Sequence, residues 1–528
     1  MAQFIRAEEA VQLVKERDFV MVGGSGGGHG VPEAVITALA ERYREEGAPR
    51  GLTLASVVSL GDWEHAGFGR LAIPGLAATV ITAGLNNCPD MAILAEQEQV
   101  AVYTLPQGVL SQLCRDSAAG RPGLLTRTGL GTFVDPRLQG GGQNSSAKAD
   151  LSEVVTLGGE EYLFYHPLPI DVAIIRGTTS DEYGNITTEE EAYSGENLSI
   201  AMAARRRGGT VICQVKRVAA GGTLPGRQVA VPGALVDYVV QDPEQWQTYQ
   251  KKLDPAYAGI IKRPASEIAP LPFDIRKVIA RRGALELMPG DIVNLGFGVS
   301  NGIATVAVEE GFLRDLTLTV EQGIFGGAPA VGKDAGAGVN YDAMLDQPYQ
   351  FDFYDGGGLD IAFLSFAEVD KHGNVNVSNY GGKVTGPGGF INITQGTRRV
   401  VFSGTLTTGK LDAVPDGTGG LQIRNEGRVK KWVSHVNQVT FSGEYARARG
   451  QEVTFITERA VFQLEHDSIV LTEIAKGVDV QADVLNQIGF PVRVAEPLQI
   501  MDERLFRSGS MGFLAEFKRR NKRERRLV

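Results

Sequence analysis

Cysteine is scarce: Cys88, Cys114 and Cys213 are the only three in 528 residues, and they stand far apart. They form no C-x-x-C pair and no metal-ligand spacing, so a disulfide framework and a structural zinc site are not expected, and a reducing cytoplasm fits. Long apolar runs are missing as well. No stretch approaches the roughly 20 residues that span a bilayer, so no membrane partner is expected. The opening segment, MAQFIRAEEAVQLVKERD, is amphipathic with early charges and lacks the apolar core of a secretory signal. The Asn144-Ser-Ser sequon is accordingly read as chance. The six histidines are scattered without a metal-type pair spacing. Only His29 stands out, because it sits inside a glycine-rich loop. Positive charge is in deficit: the net charge is −10 and the pI near 5.4, opposite in sign to a nucleic-acid binder. One basic run, Lys518, Arg519, Arg520, Lys522, Arg523, Arg525 and Arg526, closes the chain. It reads as a solvated tail over 516–528, with a docking or oligomer contact as the alternative.

What is present is ordinary for a globular enzyme: 43% hydrophobic and 22% charged residues. Glycine is high at 67 residues, and the glycines cluster beside apolar runs, which points to tight strand-to-helix turns and close backbone–ligand approach. At about 100–200 residues per domain the length suggests two to four domains. DFVMVGG (18–24), VPEAVITALAERYREE (31–46) and LTLASVVSL (52–60) read as strand, helix, strand. DIVNLGFG (291–298), GIATVAVEEGFL (302–313) and LTLTVEQG (316–323) repeat that order. The expected fold is α/β with mainly parallel sheets.

The two halves also match each other. Asp171-Val-Ala-Ile-Ile pairs with Asp360-Ile-Ala-Phe-Leu, Asp181-Glu-Tyr-Gly-Asn with Asp370-Lys-His-Gly-Asn, and TVICQV (210–215) with RVVFSG (399–404), all at one offset of 189 residues. The opening motifs match at an offset near 270, so the first half carries an insertion of roughly 80 residues before Asp171. Two related open α/β domains are expected, 1–262 and 275–515, with a linker near 262–274 marked by Pro264, Pro270 and Pro272. The two D-x-x-G-N segments read as strand-to-strand turns.

Two features carry chemistry. Gly23, Gly24, Gly26, Gly27, Gly28 and Gly30 lie between a strand and a helix opened by Pro32. This is neither a dinucleotide fingerprint nor a P-loop, and a plain tight turn competes with a ligand role. Glu321 follows LTLTV and precedes Gly323, Gly326 and Gly327. A carboxylate at the end of a parallel strand lies where α/β ligands bind. On spacing alone a buried or capping glutamate is the commoner explanation.

LTVEQGIFGG resembles the E-x-G-x-x-G segment of the family I coenzyme A transferases. The likeness extends through Gly30-Val-Pro32-Glu, Pro106-Gln107-Gly108, Thr126-Arg-Thr-Gly-Leu-Gly131, Val293-Asn-Leu-Gly-Phe-Gly298, Phe351-Asp-Phe-Tyr-Asp-Gly-Gly-Gly-Leu-Asp360 and Gly386-Pro-Gly-Gly389. It is strongest toward single-chain enzymes that move CoA between short-chain acyl-CoAs and acetate or propionate. The resemblance implies an active site in a cleft between the two domains, with Glu321 as a covalent nucleophile that forms glutamyl-acyl anhydride and glutamyl-CoA thioester intermediates. It implies oxyanion donors from Gly388, the favoured candidate, from Gly389 and from the Gln107 side chain. It implies substrate or CoA contacts at Gly26, Gly28, Gly30, Gly298, Gly323 and Gly386. Coenzyme A and acyl-CoA enter as substrates, with no permanently bound cofactor and no metal. The resemblance also implies a homotetramer or homodimer.

The 3-oxoacid transferases carry an Asn-Asn segment soon after their second strand, where this chain reads VVSLGDWEHAGFG (57–69). Trp63, Glu64 and His65 there are read either as an acyl pocket or as a surface loop. An acyl-CoA hydrolase, a succinyl-CoA:3-oxoacid transferase and a non-catalytic CoA- or phosphosugar-binding sensor remain the alternatives. The counterpart of Glu321 in the first half falls near Val57, so one half carries the nucleophile and the other lends Gln107 and its glycine loop.

Overall fold

The computed structural model describes residues 2–264, 270–466 and 468–520. The middle of the expected linker (265–269) and Lys522, Arg523, Arg525 and Arg526 of the basic run lie outside the described residues. Two sheets organise the chain. The first has eight strands in the order Gln3–Phe4, Tyr238–Gln241, Thr210–Val215, Val172–Arg176, Phe19–Val22, Leu52–Ala55, Ala77–Thr82, Ala101–Thr104. Every neighbouring pair in it is parallel. The second has ten strands, and its centre runs Thr317–Val320, Ile292–Leu295, Ile361–Ser365, Arg399–Ser403, Glu452–Ile456 in parallel. Antiparallel strands flank that centre on both sides.

The duplication expected from the sequence appears as topology. Val172–Arg176 lies between Phe19–Val22 and Thr210–Val215, and Ile361–Ser365 lies in the same way between Ile292–Leu295 and Arg399–Ser403. The paired turns match atom for atom. The Asp181 carboxylate accepts from the Tyr183 and Asn185 N–H groups, and Asp370 accepts from those of His372 and Asn374. The first-half insertion supplies Ala101–Thr104, the helix Gln107–Ala118 and an antiparallel ribbon of Leu124–Thr126, Ser152–Leu157 and Glu160–Tyr165.

The core follows strand periodicity. Val20, Leu54, Val80 and Ile174 pack on one face of the first sheet, and Met21, Ala55, Ile81 and Ile175 on the other. In the second sheet Val293 and Phe363 face one layer, Ala362 and Phe402 the other. Strands covered on both faces read as continuous apolar runs, as FVMV does. All three cysteines are buried thiols inside these layers. Among the described residues no helix is long and apolar enough to cross a membrane.

Candidate active site

The C-terminal ends of both sheets' parallel strands open on one cavity of about 650 Å³. From the first sheet, Ser25 and Gly26 follow Phe19–Val22, Asn86 and Asn87 follow Ala77–Thr82, and Gln107 follows Ala101–Thr104. From the second, Gly296 follows Ile292–Leu295, Glu321 follows Thr317–Val320 and Phe366 follows Ile361–Ser365. This is the edge at which open α/β sheets bind ligands.

Glu321 stands at the corner of a tight turn. The Gly323 N–H donates to the Val320 carbonyl at 3.0 Å, and the Leu345 N–H donates to the Gly323 carbonyl at 2.8 Å. Only glycine fits there: φ is +108° and an added Cβ would lie 2.0 Å from the Leu345 carbonyl oxygen. The carboxylate is half-buried, and its desolvation outweighs the neighbouring Asn294 and Gln322 amides and holds its pKa above the usual glutamate value. Asn294 is fully buried. Its amide donates to the Tyr354 hydroxyl at 3.2 Å, which in turn donates to Thr319 Oγ1 at 2.8 Å.

The opposing wall is joined to this one by main-chain bonds between the halves. The Leu85 N–H donates to the Thr385 carbonyl and the Gly388 N–H to the Ala83 carbonyl, both at 2.8 Å. The Gln107 N–H donates to the Gly388 carbonyl at 2.9 Å. Gln107 is buried, and its Nε2 has no partner among the described residues. The Gly389 backbone lies against the nucleophile candidate: a Cβ there would sit 3.5 Å from Glu321 Cγ. These bonds distinguish the two glycine donor candidates. The Gly388 N–H is already given to Ala83, whereas that of Gly389 has no partner among the described residues.

The coenzyme A transferase family model matches residues 4–242. The caffeate CoA-transferase of Acetobacterium woodii is 45% identical over 514 residues, 96% of this chain and 98% of that one. The acetate CoA-transferase YdiF of Escherichia coli (strain K12) is 43% identical over 512 residues, 97% of this chain and 96% of that one. The chain belongs to the coenzyme A transferase family. The crystal structure of the acyl-CoA transferase YdiF apoenzyme from Escherichia coli O157:H7 superposes with a TM-score of 0.93 at 42% identity over 97% of each chain. That enzyme's thioester complex with CoA gives 0.92.

The remaining expected positions of this CoA-transferase divide. Gly26 and Gly386 line the cavity. Gly28 and Gly30 do not. Their missing side chains make room for Tyr249 and Tyr193, which an added Cβ would meet at 2.7 and 3.3 Å. Gly28 instead faces a second cavity of about 260 Å³. Gly298 caps the short turn Val299–Asn301 outside the cavity, and Gly323 forms the turn beneath Glu321 without lining the cavity. Trp63 lines the cavity, whereas Glu64 pairs with Lys333 at 3.2 Å and His65 with Asp90 at 2.7 Å toward solvent. The 57–69 segment is therefore cavity wall at Val58, Ser59 and Trp63 and surface at Glu64 and His65. An asparagine pair does face the cavity, but as Asn86 and Asn87 after the strand Ala77–Thr82.

His29 is fully buried beneath the glycine loop, and neither ring nitrogen has a partner among the described residues. Burial lowers its pKa to about 4, so it is a neutral imidazole. Among the described residues no group of three or more His, Cys, Asp or Glu is arranged to hold a metal ion. Asn294 went unread as a site residue in the sequence. Its signal was a single amide inside the apolar strand IVNL, where a buried polar side chain needs partners.

Proposed function

We propose that this transferase moves CoA from an acyl-CoA to a short-chain carboxylate of the acetate, propionate and butyrate class, with Glu321 as the covalent nucleophile. The observation that carries the reading is a carboxylate on the wall of a cavity that Gln107 and Gly389 also line, with neither the Gly389 N–H nor the Gln107 Nε2 given to a partner among the described residues. A Glu321 oxygen attacks the acyl-CoA carbonyl carbon. The C–S bond breaks, CoA leaves as the thiolate, and a mixed anhydride remains. The thiolate then attacks the glutamyl carbonyl, the anhydride C–O bond breaks, and the acyl group departs as a carboxylate. The incoming acid reverses both steps on the resulting enzyme–CoA thioester. One thioester is exchanged for another, so no ATP is needed. Each tetrahedral step places negative charge on oxygen, and a preorganised donor there contributes about 10²–10³ in rate. Support also comes from the related acyl-CoA transferase crystallised as a thioester complex with CoA.

The test is incubation with acetyl-CoA without acceptor, followed by intact mass. A CoA-sized adduct at Glu321, released by hydroxylamine and absent in Glu321→Ala, is expected. An active, folded Glu321→Ala variant with no adduct in the wild type overturns the reading.

A further inference from the structure

Helix Gln107–Ala118 begins without a cap of its own. Pro106 precedes it and offers no side-chain acceptor, yet the first N–H groups of any helix lack intrahelical partners. The other half supplies them. The Gly388 carbonyl takes the Gln107 N–H at 2.9 Å, and Asn392 Oδ1 takes the Gly108 N–H at 3.0 Å. Asn392 lies on the helix Phe390–Gly396, directly after Gly389. Its Nδ2 is held by the Asp355 carboxylate at 2.9 and 3.2 Å. The same carboxylate accepts from Gln112 Nε2 at 3.0 Å, one turn along the Gln107 helix.

One half-buried carboxylate therefore bonds both the Gln107 helix and the helix that Gly389 caps. The fit is tight: a Cβ on Gly108 would lie 2.4 Å from Asn392 Nδ2 and 2.5 Å from Phe351 Cδ1. The orientation of Asn392 is also fixed without ambiguity. Its oxygen meets an N–H and its nitrogen meets a carboxylate, so a flipped amide would lose both bonds.

We propose that Asp355 and Asn392 are positioning residues that lock the Gln107 helix to the Gly389 helix, so that the Gln107 amide and the Gly389 N–H face Glu321 as one rigid pair. Neither residue touches the reacting atoms. Their effect is exerted on where the oxyanion donors stand, and it rests on the reading of Glu321 as the nucleophile. Burial raises the Asp355 pKa to about 6, which leaves it a carboxylate, and thus a full acceptor for two amides, at neutral pH.

The experiment exchanges the pair. Asn392→Asp sets two carboxylates against each other. Asp355→Asn combined with Asn392→Asp again sets an amide N–H against a carboxylate oxygen and keeps an acceptor for Gly108. Adduct formation from acetyl-CoA is timed by intact mass, turnover is measured with propionate as acceptor, and folding is followed by circular dichroism melting.

A donor misplaced by about 1 Å costs about 100-fold. Asn392→Asp is therefore expected to slow adduct formation and kcat by about 10–100-fold, with KM for acetyl-CoA within about threefold. The double variant is expected to return to within about threefold of wild type. A folded Asn392→Asp enzyme reacting at the wild-type rate overturns the proposal, as does a folded double variant that stays slow. Should Asn392→Asp fail to fold, the rescue is read from Asp355→Asn alone against the double variant: recovery of rate on adding the second change supports the lock, and no recovery overturns it. A wild-type enzyme that forms no adduct overturns the transferase reading itself, and the proposal with it; a reactive wild type beside an equally reactive single variant overturns the lock alone.

Discussion

Replacing Gly323 by alanine tests how far the turn beneath Glu321 sets its reactivity. Two costs follow from the geometry. A φ of +108° lies in the region that L-residues avoid, at about 1–2 kcal/mol. The new Cβ would also stand 2.0 Å from the Leu345 carbonyl oxygen. That oxygen belongs to backbone, so relief requires a displacement of more than about 1 Å in the turn or the facing chain. Displacement of that size at a reacting group costs about 100-fold, equivalent to about 2.7 kcal/mol of transition-state stabilisation. Gly323→Ala should lower kcat by about two orders of magnitude. Gly332→Ala is the control. Its φ is +68° but nothing lies within 4 Å of an added Cβ, so only the conformational cost applies and kcat should hold. The assay is CoA transfer from acetyl-CoA to propionate, with melting temperature measured in parallel. A folded Gly323→Ala enzyme within threefold of wild type would refute the argument, and so would equal losses in the two variants.

Two further outcomes concern pH. His29 is neutral when folded, with its pKa lowered to about 4 from 6.5, so between those values the unfolded chain binds the extra proton. Stability should be fully present above pH 6.5 and decline by roughly 3 kcal/mol as the pH falls to about 4. His29→Gln should flatten that part of a melting-temperature profile, and parallel profiles would exclude the effect. In the proposed mechanism the reacting form of Glu321 is the carboxylate, and burial favours the acid. The rate of adduct formation should therefore fall on acidification with a midpoint above 4.5, measured by rapid quench and intact mass where the protein remains folded. A midpoint at or below 4.5 would show the carboxylate to be solvated.

The fold was largely legible because duplicated apolar strands and matched turns are local patterns. VVSLGD was harder: the apolar run after Leu52–Ala55 continues in sequence but leaves the sheet, since its residues turn to line the cavity. Glu321 was singled out by the family resemblance rather than by its strand and glycines alone, and the structure puts it on the cavity wall. The donors were less so. Whether Gly388 or Gly389 keeps a free N–H depends on the Ala83 carbonyl, some 300 positions away in the chain, and no spacing rule reports that. Gly28 and Gly30 illustrate the same limit, because a glycine needed beside a tyrosine ring looks in sequence like one needed beside a ligand.

The cap that one half places on the other's helix has a bearing on timing. In the proposed mechanism the enzyme–CoA thioester is vulnerable to water for as long as it waits for an acid. If the halves part, the Gln107 and Gly108 N–H groups lose their acceptors and the donor side chain loses its anchorage in the same movement. Exposure to solvent and loss of the machinery that activates the thioester carbonyl thus coincide. On that mechanism, a gaping molecule would be the least able to hydrolyse its own intermediate.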